Sequence, residues 1–182
     1  MNTYEEKVFC IMAYSGAGKT EVVKELEKDG YNVLQSYTTR PQRHENEWGH
    51  KFCNNEEYEK FKSKDEIAAY SLIEGNHYFA TKQQLFSSDI YVVDPVGIED
   101  LKERILDVEF VVIYLKVDKK TRMSRMQKRG DDVHRILSRV NTDGIKFRKK
   151  RYDYQVINYE FDKAVKIIKN IIKVESEPNS VE

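Results

Sequence analysis

The sequence has no surplus of charge. Its 31 Lys and Arg stand against 31 Asp and Glu, for a formal net charge of +0. A nucleic-acid binder carries a basic balance or a basic face, so any basic patch here has to be local and no nucleic-acid partner is expected. Cysteine is scarce. Cys10 falls in an apolar run and Cys53 in a polar stretch. Neither has a metal-ligand partner at useful spacing, and two cysteines make no disulfide framework. Both fit the reducing cytoplasm in which the chain is expected to work. Long apolar runs are missing too. The segment Met1-Asn-Thr-Tyr-Glu-Glu-Lys7 is charged and leads into a short apolar run, the pattern of neither a signal peptide nor a membrane span. No internal repeat is found.

At 40% hydrophobic and 34% charged, 182 residues suffice for one domain with a real core and small insertions. The stretch around which the rest is arranged is Ala13-Tyr14-Ser15-Gly16-Ala17-Gly18-Lys19-Thr20. The apolar run Val8–Met12 before it reads as a buried strand. Glu21–Glu27 after it has the apolar spacing of a helix. Strand, glycine-rich loop, Lys-Thr and helix make the setting of a phosphate-binding P-loop. Backbone N–H groups of such a loop converge on phosphate oxygens, and the helix N-terminus adds its positive dipole end. Gly16 and Gly18 let the loop close round an anion. Lys19 would reach the β and γ phosphates and the Thr20 hydroxyl would sit on Mg²⁺. The motif's first glycine is Ala13, the relaxed form of the pattern.

The first helix should stop at Asp29-Gly30, with a strand at Tyr31–Ser36. Residues 37–52 are polar without apolar periodicity and read as a loop. Within it Arg40 and Arg43, flanked by hydroxyls, form a candidate anion clamp, because guanidinium forks match phosphate oxygens. Asn54 opens a helix with Tyr58 and Phe61 on one face. Ile67–Ile73, the turn Glu74-Gly75-Asn76 and His77–Ala80 make a hairpin, and Thr81 caps a short helix through Leu85. Asp89–Asp94 is a strand ending in a carboxylate, either a Mg²⁺-organising or substrate-binding acid or a helix cap. Gly97–Ile105 is a helix and Val108–Val117 a long apolar strand. Asp118 caps a helix bearing Arg122, Arg125, Lys128 and Arg129. Gly130-Asp-Asp breaks it, and Val133 to Lys150, with Arg135 and Arg139, is helical again. Tyr154–Asn158 is the last strand, Phe161–Ile172 an amphipathic closing helix, and 175–182 an acidic frayed tail. Strands alternating with helices imply a parallel α/β sheet, interrupted by the hairpin region.

The order of these motifs resembles the guanylate kinases, of the P-loop nucleoside-monophosphate kinases, from residue 8 to 172. Ser36-Tyr-Thr-Thr-Arg40-Pro-Gln-Arg43 matches the family's Ser-x-x-Thr-Arg-x-x-Arg. Gly75-Asn76-His77-Tyr78-Phe79-Ala80-Thr81 matches its Gly-Asn-Tyr-Tyr-Gly-Thr hairpin. Asp94-Pro-Val-Gly97, Arg125-Met-Gln-Lys-Arg129-Gly130 with Arg139, and Tyr154-Gln-Val-Ile-Asn158 follow in the family's order. The resemblance implies a P-loop core with a parallel five-stranded sheet flanked by helices, over 1–35, 88–124 and 140–174. It adds a small inserted monophosphate-binding subdomain over 36–87 and a helical lid over 125–139.

The implied activity is Mg·ATP-dependent phosphoryl transfer to a nucleoside monophosphate, GMP or dGMP, by a monomer or weak homodimer with no membrane partner. Ala13, Ser15, Gly16, Ala17, Gly18, Lys19 and Thr20 would hold the ATP phosphates. Arg125 and Arg129 would close over them, and Asn158 would lie near the adenine. Ser36, Arg40, Arg43, His50, Tyr78 and Asp94 fall at the monophosphate site. Catalysis would rest on Lys19, Arg40, Arg125, Arg129, Arg139 and Asp94, and Thr20 would hold Mg²⁺ with Asp94 acting through water. The departures concern the base. The family's guanine-reading glutamate falls on Ala69, with Glu66 or Glu74 as nearby substitutes. A phosphate-binding tyrosine becomes His50, the acid of that segment is Glu45 or Glu47, and the first Asp of Asp-x-Asp becomes Val92. The alternatives are a kinase of another base, or a guanylate-kinase-like module that binds phosphorylated peptides at the former monophosphate site.

Overall fold

The computed structural model describes residues 6–177. Residues 1–5 of the charged leading segment and the end of the predicted tail, 178–182, lie outside the described residues. Strand β1 (Glu6–Ala13) is the middle of a five-stranded sheet. Beside it run β7 (Ile90–Val92) and β8 (Val108–Lys116), with β2 (Val33–Leu34) and β9 (Tyr154–Ile157) at the edges. The order is β2-β7-β1-β8-β9 and every pairing is parallel.

Parallel strands are covered on both faces, so they read as unbroken apolar runs. Alternation of side chains along β1 feeds two cores. Val8, Cys10 and Met12 join Tyr91, Val112, Ile98 and Leu101, the last two from α4 (Pro95–Arg104). Phe9, Ile11 and Ala13 join Val22, Val23 and Leu26 of α1 (Lys19–Lys28) and Ala164, Ile168 and Ile172 of α7 (Phe161–Ser176). Helix α7 runs two residues into the predicted tail, because Glu175 there accepts from Lys7 Nζ (3.1 Å) and from the Tyr154 hydroxyl. No helix of the described residues is long and apolar enough to cross a membrane.

The insertion forms a second sheet, ordered β4-β3-β6-β5. Its hairpin joins β5 (Ile67–Ile73) and β6 (Asn76–Thr81). The turn residues Glu74 and Gly75 both have positive φ, 51° and 77°, as a primed two-residue turn requires. The segment expected as a loop contributes two strands, β3 (Ser36–Thr38) and β4 (His50–Phe52). Three-residue strands on a partly exposed sheet are too short to show an alternating pattern. The sheet carries α2 (Asn55–Ser63) and α3 (Lys82–Phe86). Helices α5 (Lys119–Lys128) and α6 (Val133–Lys146) pack together. Helix α6 ends four residues short of the expected Lys150, because Phe147 turns into the core and stacks on Tyr14, with ring centroids 4.4 Å apart.

Candidate active site

The loop between β1 and α1 is fixed from behind. Gly16 has φ 78° and a Cβ there would lie 2.6 Å from the Arg122 carbonyl oxygen. Gly18 has φ 92°, and a Cβ there would lie 2.7 Å from Asn158 Nδ2. Arg122, 7% exposed, donates to the carbonyls of Ser15 (3.3 Å) and Val117 (3.2 Å) and lies over the Tyr14 ring. Asn158 Nδ2 donates to the Ala17 carbonyl (2.8 Å), and Arg125 donates to the carbonyls of Ala17 (3.4 Å) and Asn158 (2.9 Å). Asn158, 3% exposed, thus braces the loop through one N–H of its amide. Arg122 is a functional residue the sequence hid, since one arginine in a basic helix carries no mark of burial.

The N-terminus of α1 has Gly18 at its cap position and no side-chain cap. Its first N–H groups are therefore left for an incoming anion. The Lys19 ammonium donates to the Ala13 carbonyl at 2.6 Å. Burial pulls its pKa from 10.5 down to about 8, against the opposing charges of Asp143 and Asp94. The Ser15 N–H donates to Asp143 Oδ2 at 2.6 Å. Asp143, on α6, is a second residue that sequence reasoning missed.

The small sheet positions the candidate clamp residues Arg40 and Arg43. The Arg40 guanidinium meets Glu47 with two bonds, 2.8 and 3.3 Å, and its Nε donates to the Tyr78 hydroxyl at 3.1 Å. Of the two acids open in the sequence, Glu47 is therefore the partner. It also accepts from the Arg43 N–H at 2.8 Å. Burial works against ionisation of Glu47, yet the bonds from Arg40 and the Arg43 amide hold its pKa down to about 2. Arg40 is thereby locked in position, while Arg43 stays half-exposed. His50 Nδ1 lies 3.0 Å from Ser36 Oγ. Burial, with the Arg40 charge adding to it, pushes His50 below its ordinary 6.5, which keeps the ring neutral at neutral pH.

A cavity of about 340 Å³ joins the two halves, with Ser15 and Lys19 at one end and Ser36, Arg43, His50 and Tyr78 at the other. Helix α6 forms a wall with Arg139, Asp143 and Lys146. Asp94 lies between. Its Oδ1 accepts from the Gly97 N–H (2.8 Å) and Ser71 Oγ (3.2 Å), and its Oδ2 from Lys146 Nζ (2.9 Å). It caps α4 and holds the Lys146 ammonium against its other oxygen. Glu74 reaches the cavity and Glu66 does not. Arg129 and Arg139 both pair with Asp131 at the head of the expected lid. Asp131 is another residue without a sequence signal.

Among the described residues no group of three or more His, Cys, Asp or Glu is placed to hold a metal. Thr20, exposed in the first turn of α1, is the donor that remains. One hydroxyl suits Mg²⁺, which keeps most of its waters and takes its other ligands from substrate phosphates.

The glycine-rich loop, Lys19 and the surrounding parallel sheet define a P-loop nucleotide-binding protein. Sequence comparison places it further. The family described as AAA domain matches residues 10–151, and the chain belongs to that family. Its homologues include proteins named guanylate kinase. The one from Geobacter sulfurreducens is 29% identical over 94% of this chain and 90% of the relative. The one from Polaromonas sp. is 26% identical over 93% and 87%, and that of Escherichia coli K12 25% over 92% and 87%. The crystal structure of guanylate kinase from Anaplasma phagocytophilum superposes with a TM-score of 0.67 at 18% identity, covering 97% of this chain and 89% of that one, and so shares the fold.

Proposed function

We propose that this chain transfers the γ-phosphoryl group of Mg·ATP to a nucleoside monophosphate, with GMP or dGMP as the first acceptor. The observation that carries the reading is the single cavity running from Lys19 and the loop to Arg43 and Tyr78. Two phosphate-binding ends in one enclosure suit a reaction whose donor and acceptor both carry phosphate. The names of the homologues support it, since a guanylate kinase is a nucleoside-monophosphate kinase.

Lys19 and the loop amides hold the donor phosphates. Arg40, Arg43 and the Tyr78 hydroxyl hold the acceptor phosphate, with Glu47 keeping Arg40 aligned. An acceptor phosphate oxygen bonds to the γ-phosphorus as the bond to the β–γ bridging oxygen breaks, leaving ADP. No protein nucleophile is needed, and catalysis consists of positioning and charge stabilisation. Arg125, Arg129 and Arg139 supply positive charge on the donor side, Arg129 and Arg139 after exchanging Asp131 for phosphate. Mg²⁺, when bound with Thr20, neutralises phosphate charge. Residues 125–139 act as the lid and 36–87 as the monophosphate subdomain, and their closure excludes the water that would make the enzyme an ATPase.

A coupled ADP-release assay against ribo- and deoxynucleoside monophosphates tests this. Turnover is expected on GMP or dGMP, and loss of turnover in Lys19→Ala with unchanged circular dichroism. Normal turnover by that variant would sink the assignment. ATP binding with silence across the panel would point instead to a phosphopeptide-binding module.

A further inference from the structure

How the acceptor's base is read follows from the wall of the cavity, on the footing of the kinase reading above. Ala69, at the position where a base-reading carboxylate is expected, is 1% exposed and belongs to the core. The carboxylates that reach the cavity are Glu74, Asp94 and Asp143. Glu74 sits exposed on the hairpin turn and Asp143 is bound to the phosphate loop. That leaves Asp94, whose side chain is 19% exposed and whose partner Lys146 is 20% exposed.

A carboxylate has about four lone-pair sites and an ammonium three N–H groups. The Gly97 amide and Ser71 hydroxyl fill Asp94 Oδ1, and Lys146 takes one site on Oδ2. One acceptor site on Oδ2 therefore lies beside the N–H groups that Lys146 does not spend on Asp94. We infer that Lys146 and Asp94 together read the acceptor base, and that they select bases presenting a carbonyl next to a ring N–H, as guanine, uracil and thymine do. The exocyclic carbonyl offers two lone pairs to the cation, and the ring N–H flanked by it is an acidic donor to the anion. Both bonds are charge-assisted and correspondingly strong. Adenine and cytosine have no ring N–H on that edge: their N1 or N3 is an acceptor that would face the Asp94 carboxylate lone pair to lone pair, and only a less acidic amino group is left to donate. A site built to bond a particular edge discriminates because the wrong edge leaves buried polar groups unpaired.

The test is a Lys146→Met variant of the full chain, which keeps the apolar stem and removes the charge. KM and kcat are measured at saturating Mg·ATP for GMP, dGMP, UMP, dTMP, AMP and CMP. The wild type should favour GMP, dGMP, UMP and dTMP, whose bases present a carbonyl next to a ring N–H. The variant should raise their KM about tenfold, the loss of one such bond, with the KM of AMP, CMP and ATP changed less than about twofold. Lys146→Arg should restore most of the preference. An equal rise for all six acceptors would make Lys146 a structural tie between α6 and α4, and would overturn the assignment. So would an unchanged preference in Lys146→Met, or a wild type that favours AMP or CMP. A folded wild type silent on all six overturns the kinase reading itself, and this assignment with it.

Discussion

Asp143 places a carboxylate oxygen 2.6 Å from the Ser15 amide nitrogen, where a P-loop receives a phosphate. It is also the foremost of the charges opposing the depression of Lys19's pKa. An incoming β or γ phosphate carries the same charge and seeks the same donors, so it has to displace this side chain. Removing the competitor should tighten nucleotide binding. In Asp143→Ala the Kd of Mg·ATP is expected to fall about tenfold, since a hydrogen bond to a charged group is worth about 1.5–3 kcal/mol and part of that is returned by solvation. Titration calorimetry reads it directly, and a weaker Kd would mean that Asp143 helps to hold the nucleotide. The candidate clamp could be picked out in the sequence because its spacing is local: Arg40 and Arg43 stand within one short segment. Asp143 and Lys146 could not be picked out. They reach partners 128 and 52 positions away, and a charged residue on a polar helix looks like a solvated face until its neighbours are known.

Among the elements, the helix N-termini differ in how they are closed. Asn54, Thr81, Asp94, Asp118 and Asp132 each cap a helix with a side-chain oxygen. Helices α1 and α7 have no side-chain cap, and at α1 the cap position is Gly18 at the end of the glycine-rich loop, which leaves that dipole end open to an anion. The caps of α2 to α6 serve stability. Asn54 and Glu57 form a capping box, and α2 buries Tyr58 with its ring stacked on His77 at 3.9 Å. Asn54→Ala should cost about 1 kcal/mol, seen as a lower urea midpoint at unchanged slope, while the ATP Kd stays as it was. An unchanged midpoint would show that α2 is held by its packing alone. Capped helices and the hairpin were readable because their signals are chemical and lie within a few residues. Strands β3 and β4 were hidden, because what makes His50–Phe52 a strand is its pairing with Ser36–Thr38, a tertiary fact that no local propensity records.

Across the molecule, α6 is the piece that runs from the phosphate loop to the middle of the cavity. Asp143 ties it to the phosphate loop and Lys146 to the cap of α4, one turn apart on the same helix. Arg139, a turn before them, is held by Asp131. Every one of these ties joins an acid to a donor that a substrate phosphate or base can claim. Filling the cavity therefore exchanges ties within the protein for ties to ligand, and the wall formed by α6 has reason to move with occupancy. The small sheet faces it across the same cavity with Arg43, His50 and Tyr78, so phosphates bound at both ends pull the two walls toward one another. A 182-residue compact chain has a radius of gyration of about 16 Å. Small-angle scattering should show that value falling by a few per cent when a non-hydrolysable ATP analogue and GMP are bound together, and by less with either alone, since closure needs both anions. A radius unchanged at saturation with both ligands would leave α6 a fixed wall. Water exclusion would then have to come from the ligands filling the cavity rather than from its closing.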